Sequence, residues 1–317
     1  MTARNSRRPA AARGRRARLA APIAVAVTGA LLLAGCGDQT ESASGGGKTQ
    51  GSKAPLFDKL PKKIQKAGVI KVGTDPAYKP MEYKDGAKII GLDPDLANAM
   101  GKQLGVRFDF TGGVFDGLVT SLQTGRFDMI MSSMTDTKDR QQGLDDKGKK
   151  VGKGVDFVDY LTAGSSILVK KGNPEKVKSM DDLCGEKVAT QRGTTSHEIL
   201  KKQIDKCKKD RERPLTIEPF ETDDQARIRL DAGGVVADIS DFPVAANAAK
   251  EGQFEIVGEQ MESAPYGMAV SKDDKELRDA LKEALAKIIE DGSYKKALKK
   301  WGVEDGGVSE AKINSGS

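Results

Sequence analysis

Two short polar stretches carry the side chains with the most chemical potential. Ser132-Ser133-Met134-Thr135 follows the apolar run Phe127 to Met131, and Arg140 comes one or two helical turns later. Hydroxyls at a strand end with an arginine nearby suit a carboxylate, which a guanidinium can grip with two parallel donors. Gly193-Thr194-Thr195-Ser196 is the second stretch, and Thr195-Ser196-His197-Glu198 fits a capping box at a helix start. The free N–H groups of such a start form a further seat for an anion. Catalytic sets are poorly represented. The only histidine, His197, is adjacent to Ser196, and neighbouring residues on a helix point apart, so no Ser-His-Asp or Cys-His arrangement is expected. No phosphate-binding glycine loop occurs. No catalytic residue, metal site or cofactor is therefore expected: two of the three cysteines (Cys184, Cys207) and one histidine do not make a four-ligand metal set.

Strand and helix signals alternate through the chain, which predicts an α/β fold with those loops at strand ends, where open α/β sheets hold ligands. Val69 to Val72 reads as a strand entering the loop Thr74–Pro80. Asp93 is the expected N-cap of a helix with Pro94 in its first turn, and Leu96 and Met100 share one face. A short strand is expected at Arg107–Phe110, a helix around Leu118 and Leu122, and a strand at Phe127–Met131. A second series places strands at Ser166–Lys170, Lys187–Thr190, Thr216–Phe220, Val235–Ile239 and Phe254–Val257. Helices near Ser196–Cys207, Asp223–Leu230 and Pro243–Lys250 lie between them. A strand at Met268–Val270 precedes a helix from about Asp274 to Glu290, whose Leu277, Leu281, Leu285 and Ile288 form a core-facing stripe. No repeat of 20–50 residues is present, so a solenoid is not supported.

The chain has 317 residues and a net charge of +6, which taken whole suggests a polyanionic partner. Position removes that suggestion. Seven arginines and no acid lie in residues 1–35; without them 45 basic residues face 46 acidic ones, a net of −1. No nucleic-acid partner is expected. The arginines precede an apolar run, Leu19 to Leu33, too short and too interrupted for a membrane span, and then Leu33-Ala34-Gly35-Cys36. Those three parts form an export signal, and the small residues before Cys36 resemble a bacterial lipobox, in which the cysteine thiol receives a lipid. Arg7-Arg8 and Arg15-Arg16 leave the export route, general secretory or twin-arginine, open. Gly37 to Ala54 holds no large apolar residue and reads as a flexible tether. Cys184 and Cys207 remain, an even pair that in an exported protein suggests a disulfide, with two free thiols as the alternative.

In order and spacing, six segments resemble the polar amino-acid solute-binding proteins of ABC importers, family 3 of the bacterial extracellular solute-binding proteins. They are VGTDPAYKPMEY (72–83), GLDPDLANAMGKQLG (91–105), FDGLVTSLQTGRFDMIMSSMTDTKDRQQ (115–142), RGTTSHEIL (192–200), DFPVAA (241–246) and YGMAVSKDDKELRDALKEAL (266–285). The resemblance covers residues 57–303. It implies an α/β, two-lobed periplasmic-binding-protein-like clamshell of type II with two hinge crossings. Its pattern divides the chain into a lipoprotein signal peptide (1–35), the lipidated Cys36 and tether (36–54), lobe 1 (55–162 plus 266–308), lobe 2 (163–265) and a tail (309–317).

By the same resemblance Arg140 binds an α-carboxylate with help from backbone N–H groups at Thr135 and Thr194. Asp241 holds the α-ammonium, with Ser133 and Thr135 as partners, while Asp75, Tyr78, Phe115 and Ser132 surround the ligand side chain. A carboxylate at Asp75 disfavours acidic ligands and favours glutamine, histidine, arginine or lysine; Glu82 adds negative potential or faces solvent. The implied partners are the amino-acid ligand, the permease and ATPase subunits, and the membrane through the lipid anchor, with the protein a monomer on the outer face of the cell membrane. A sensor feeding a signalling partner and a cyclohexadienyl-dehydratase-like enzyme are the other readings of this scaffold. Asp238, three residues before Asp241, is a rival for the ammonium role. The Lys/Gly-rich stretch Gly143 to Asp156 is longer than the family pattern and is expected as a mobile surface loop, with a permease contact there possible.

Overall fold

A computed structural model of the protein describes residues 53–145 and 147–317. The export signal, Cys36 and most of the tether lie outside the described residues. Helix α1 (Lys62–Ala67) ends on Gly68 at φ 67° and leads into β1 (Val69–Thr74). The short strands β2 (Ala77–Tyr78), β3 (Glu82–Asp85) and β4 (Lys88–Ile90) make a separate antiparallel sheet. Next come α2 (Leu92–Leu104), β5 (Arg107–Gly112), α3 (Leu118–Gln123), β6 (Met129–Ile130) and α4 (Lys138–Gln142). The long strand β7 (Val155–Lys170) is followed by β8 (Lys187–Gln191), α5 (Thr195–Lys209), β9 (Thr216–Phe220), α6 (Asp223–Asp231), β10 (Ala237–Asp241) and α7 (Phe242–Lys250). A second long strand, β11 (Phe254–Ser271), precedes α8 (Lys275–Glu290), α9 (Ser293–Trp301) and β12 (Gly307–Ile313).

The two long strands organise the molecule. In the main sheet the order is β5-β1-β6-β11-β7-β10-β8-β9, with β12 also on β7. Strands β7 and β11 run antiparallel from Val155↔Ser271 to Lys170↔Phe254. One end of this ribbon carries β6 and β12, at Met129↔Val270 and Ile313↔Val158. The other end carries β10, at Asp238↔Leu168. Between those ends the register shifts three times, between Val257 and Gly267, and such bulges bend and twist a ribbon. The result is a two-lobed mixed α/β protein in which β7 and β11 are the two crossings.

Each lobe has its own apolar core. Ile70 and Val72 of β1 are fully buried, as parallel strands covered on both faces require. They pack with α2 and with Leu277, Leu281, Leu285 and Ile288 of α8, so the leucine stripe is core. In the other lobe Ile167, Val188, Leu200 and Ile239 form one cluster and Leu168, Ala189, Leu230 and Ala245 another, on opposite faces of the same strands. Cys184 and Cys207 are joined, with their Cα atoms 5.7 Å apart, and tie the segment before β8 to α5.

Several local expectations are corrected. The N-cap of helix α2 is Gly91, not Asp93. Gly91 sits at φ 139°, where a Cβ would fall on the Met81 carbonyl, and Asp93 instead turns inward, fully buried. The capping residue of α5 is Thr194, whose hydroxyl accepts from the His197 N–H at 3.2 Å, one position earlier than the capping-box match. The strands expected at Ser166–Lys170 and Met268–Val270 are the ends of β7 and β11. Phe254–Val257 is the other end of β11; the first part of β7 and the middle of β11 were missed because polar residues and glycines interrupt the apolar pattern. Residues 309–317 are not a loose end: β12 pairs with β7, and Ser315 and Gly316 donate to Asp159 and Asp136. In the Lys/Gly-rich stretch, Leu144 and Lys150 form an isolated bridge, and Asp145 Oδ1 accepts from the N–H groups of Lys147 and Lys149 at 3.0 and 2.8 Å.

Candidate functional site

Strand ends from both lobes converge on one small cavity. Eight of the nine ligand-binding candidates border it: Tyr78, Phe115, Ser132, Ser133, Thr135, Arg140, Thr194 and Asp241. Tyr78 comes from β2, Ser132 and Ser133 from the end of β6, and Arg140 from α4. Thr194 caps α5 and Asp241 ends β10. Asp75 does not border the cavity but is held just behind it, its Oδ2 accepting from Gln191 Nε2 at 2.6 Å. Glu82, Gln191 and Thr195 also border the cavity. Sequence reading gave Glu82 no settled place, had Thr195 only as part of the Gly193–Ser196 turn, and missed Gln191. Gln191 had a usable signal, since it ends β8 two residues before the Gly-Thr-Thr turn, much as Ser132 lies two residues beyond β6.

The lobes touch across this cavity through polar groups. Arg140 donates from Nη1 to the Thr135 carbonyl at 2.7 Å and from Nη2 to the Gly193 carbonyl at 3.0 Å. The Thr135 and Thr195 hydroxyls are 3.3 Å apart, and the Asp241 N–H donates to Tyr78 Oη at 3.3 Å. At the rim Lys79 pairs with Glu251 at 3.4 Å, an exposed contact worth little. The guanidinium of Arg140 also lies 5.5 Å over the Phe115 ring. Drawn together in this way the lobes leave about 10 Å³ between them, room for one water and no more.

Beneath the cavity lies a buried acidic network. Ser132 Oγ donates to Glu82 Oε1 at 2.9 Å and accepts from the Asp75 N–H at 2.9 Å. Ser133 is at φ 48°, a region that disfavours residues with a Cβ. It is held there by its N–H donating to Asp93 Oδ2 at 3.3 Å and its Oγ donating to Glu82 Oε2 at 3.4 Å. Tyr160 Oη donates to Asp93 Oδ1 at 2.8 Å.

Burial sets the protonation of these acids, because an ionised carboxylate loses hydration that hydrogen bonds only partly replace. Asp75 is pushed up to about 6, burial outweighing the hydrogen bond from Gln191. Asp93 rises to about 7 against the hydrogen bonds from Tyr160 and Ser133. Glu82 is raised well above the usual carboxylate range by burial and then by the charge of Asp93, so it holds the proton and donates toward Asp93. Burial also raises Asp241, with the hydroxyls of Tyr266, Tyr78 and Ser165 and the charge of Arg140 opposing the rise. Burial lowers Arg140 to about 10, which leaves it cationic at neutral pH. Burial lowers His197, with the charge of Lys201 adding to the shift. Among the described residues no group of three or more His, Cys, Asp or Glu side chains is arranged to hold a metal ion.

A two-lobed mixed sheet with two crossings and a polar cleft at the strand ends defines a receptor that closes over a small solute. The chain belongs to the bacterial extracellular solute-binding proteins, family 3, whose model matches residues 70–304. It is 30% identical over 303 residues to the arginine-binding protein ArgT of Corynebacterium glutamicum, covering 93% of this chain and 95% of that one. Among solved structures, an ancestral arginine-binding protein bound to arginine is similar with a TM-score of 0.65 and 36% identity, covering 74% of this chain and 98% of that one. The ancestral amino acid-binding protein AncCDT-1, a precursor of cyclohexadienyl dehydratase, is similar with a TM-score of 0.66 and 39% identity, over 75% and 97% of the two chains. Among the described residues no helix is long and apolar enough to cross a membrane.

Proposed function

We propose that this protein is the receptor of an ABC importer for a cationic L-amino acid, arginine before lysine, and that it binds and releases its ligand without chemical change. The observation that carries the reading is the division of charge around the cavity. Arg140 and Asp241 offer one cation and one anion, the complement of an amino-acid zwitterion, while Asp75 and Glu82 lie where a ligand side chain would extend. A guanidinium there would replace Gln191 as the donor to Asp75 and would favour the ionised form of both acids. Likeness to arginine-binding proteins supports the same choice.

On this reading Arg140 exchanges the Thr135 and Gly193 carbonyls for the ligand carboxylate, and Thr135 and Thr194 add backbone N–H groups. The closed cavity is too small for any amino acid, so the ligand enters with the lobes apart and closure follows about β7 and β11. The lobes would comprise 55–162 plus 266–308 and 163–265, with 309–317 attached to the first. Export with lipidation at Cys36 would hold a monomer on the outer face of the cell membrane, the tether giving it reach to the permease. The likeness to a dehydratase precursor keeps an enzymatic reading in view; turnover of arogenate or prephenate by the purified protein would establish it.

The test is a thermal-shift screen of residues 37–317 against all L-amino acids. A ligand at a thousandfold excess over Kd adds about 4 kcal/mol. At 2–4 °C per kcal/mol that is roughly 8–16 °C in Tm. Arginine is expected to give the largest shift, and a flat response to every amino acid refutes the proposal.

A further inference from the structure

Residues 314–317 make contacts concentrated on two places, the crossing strand β7 and the turn that carries Arg140. Asn314 brackets Phe157, its Oδ1 accepting from the Phe157 N–H at 2.8 Å while its own N–H donates to the Phe157 carbonyl at 3.2 Å. Ser315 donates to Asp159 Oδ2 from N at 3.0 Å and from Oγ at 2.6 Å. The Gly316 N–H then donates to Asp136 Oδ2 at 2.8 Å. Gln141 Nε2 donates to both Asp136 Oδ1 and the Gly316 carbonyl, at 2.7 and 3.4 Å, and the Lys138 N–H donates to Ser317 O at 3.4 Å. Asp136 is fully buried, and a Cβ at position 316 would fall on its carbonyl.

Helix α4 has only five residues, too few to hold its own conformation. Its orientation must come from what surrounds it. On one side Thr135 bridges to Tyr266 and the Asp136 N–H donates to the Pro265 carbonyl at 2.8 Å, both on β11. On the other side the backbone of residues 316–317 meets Asp136, Lys138 and Gln141, while that of 151–154 packs against the end of α4 at Gly143.

We infer that residues 314–317 are a positioning strap, which clamps the Thr135–Thr137 turn and α4 against the crossing strands and so aims Arg140 at the ligand carboxylate. The inference rests on the reading of Arg140 given under Proposed function. Residues 314–317 do not border the cavity, so the strap acts through the turn and Arg140 rather than by contact with the ligand.

The experiment compares L-arginine with L-argininamide, which keeps the side chain and the ammonium but lacks the carboxylate. Three forms are measured by calorimetry: the native protein, Gly316→Val, and a chain ending at Ile313. The native protein is expected to prefer L-arginine strongly. Both strap variants, folded by circular dichroism, are expected to bind L-arginine about tenfold more weakly and the amide unchanged. Ser317→Ala, which keeps the strap backbone, is expected to behave as native. Folded strap variants with native affinity for L-arginine, or with equal losses for the two ligands, overturn the strap. A native protein indifferent to the carboxylate overturns the strap and the Arg140 reading together.

Discussion

Gln191 of one lobe donates to Asp75 of the other at 2.6 Å, and its Nε2 also reaches the Glu221 carbonyl at 3.1 Å. The contact puts a neutral amide beside Asp75, the group that on the proposed function a cationic ligand replaces. On that proposed function Asp75 is the main source of preference for a cation. Asp75→Asn is expected to weaken L-arginine binding by about 30-fold or more, within the 2–5 kcal/mol of a lost buried charge contact. Glutamine, which brings no charge, is expected to bind at least as well as before. Calorimetry with both ligands checks this; equal changes for the two remove Asp75 from the specificity argument.

The other end of the cleft answers to Arg140 and Asp241. Each faces a buried, closing site in which a lost partner leaves the ligand's opposite charge uncompensated. Arg140→Ala and Asp241→Ala are each expected to lower amino-acid affinity by at least a few hundredfold while circular dichroism stays native. Unchanged affinity in either variant would remove that residue from the site.

Much of this site was legible because its chemistry sits at strand ends in contiguous words: Ser-Ser-Met-Thr, Gly-Thr-Thr-Ser, and an arginine one turn beyond. Local pattern singled out these words, while the ligand roles, and Asp75, Tyr78, Phe115 and Asp241 as members of the site, came from the family resemblance. What stayed hidden depended on distant partners. Gln191 acquires its place only when β8 faces Asp75 across 116 residues of sequence. Asp93 had every local mark of an N-cap, but Tyr160 and Ser133 supply buried donors that draw it inward. The crossing strands were read as fragments because bulges and polar residues break a period of two. Residues 314–317 had no apolar pattern at all; only the tertiary fold gives them Asp136 and Asp159 to hold.

The Cys184–Cys207 bridge closes a loop with a sequence separation of 23, for which chain-entropy arguments give a stabilisation of about 3 kcal/mol. Neither cysteine borders the cavity. Reduction, or the double change Cys184→Ser with Cys207→Ser, is expected to lower Tm by roughly 6–12 °C, at 2–4 °C per kcal/mol. Because α5 begins at the Thr194 cap, ligand affinity below the transition is expected to remain within about twofold of native. Scanning calorimetry with and without a reductant measures the first effect and titration the second.

Asp238 is the rival to Asp241, and pH separates them. It is fully buried on β10, neither carboxylate oxygen has a hydrogen-bond partner among the described residues, and it does not border the cavity. Burial, and then the charge of Asp223, holds it well above the usual range, and burial lifts Asp223 itself to about 7. In the unfolded chain both acids titrate near 4. The folded state therefore binds more protons than the unfolded state between about pH 4 and 7, so stability falls as pH rises through that window. Asp75 and Asp93, at about 6 and about 7, act in the same direction. The ligand-free protein is expected to melt several degrees lower at pH 8 than at pH 5. Asp238→Asn removes one of these buried titrating groups and is expected to raise Tm at pH 8 by about 3 °C or more, flatten that slope, and leave amino-acid affinity unchanged. A variant that instead loses affinity would transfer the ammonium role from Asp241 to Asp238.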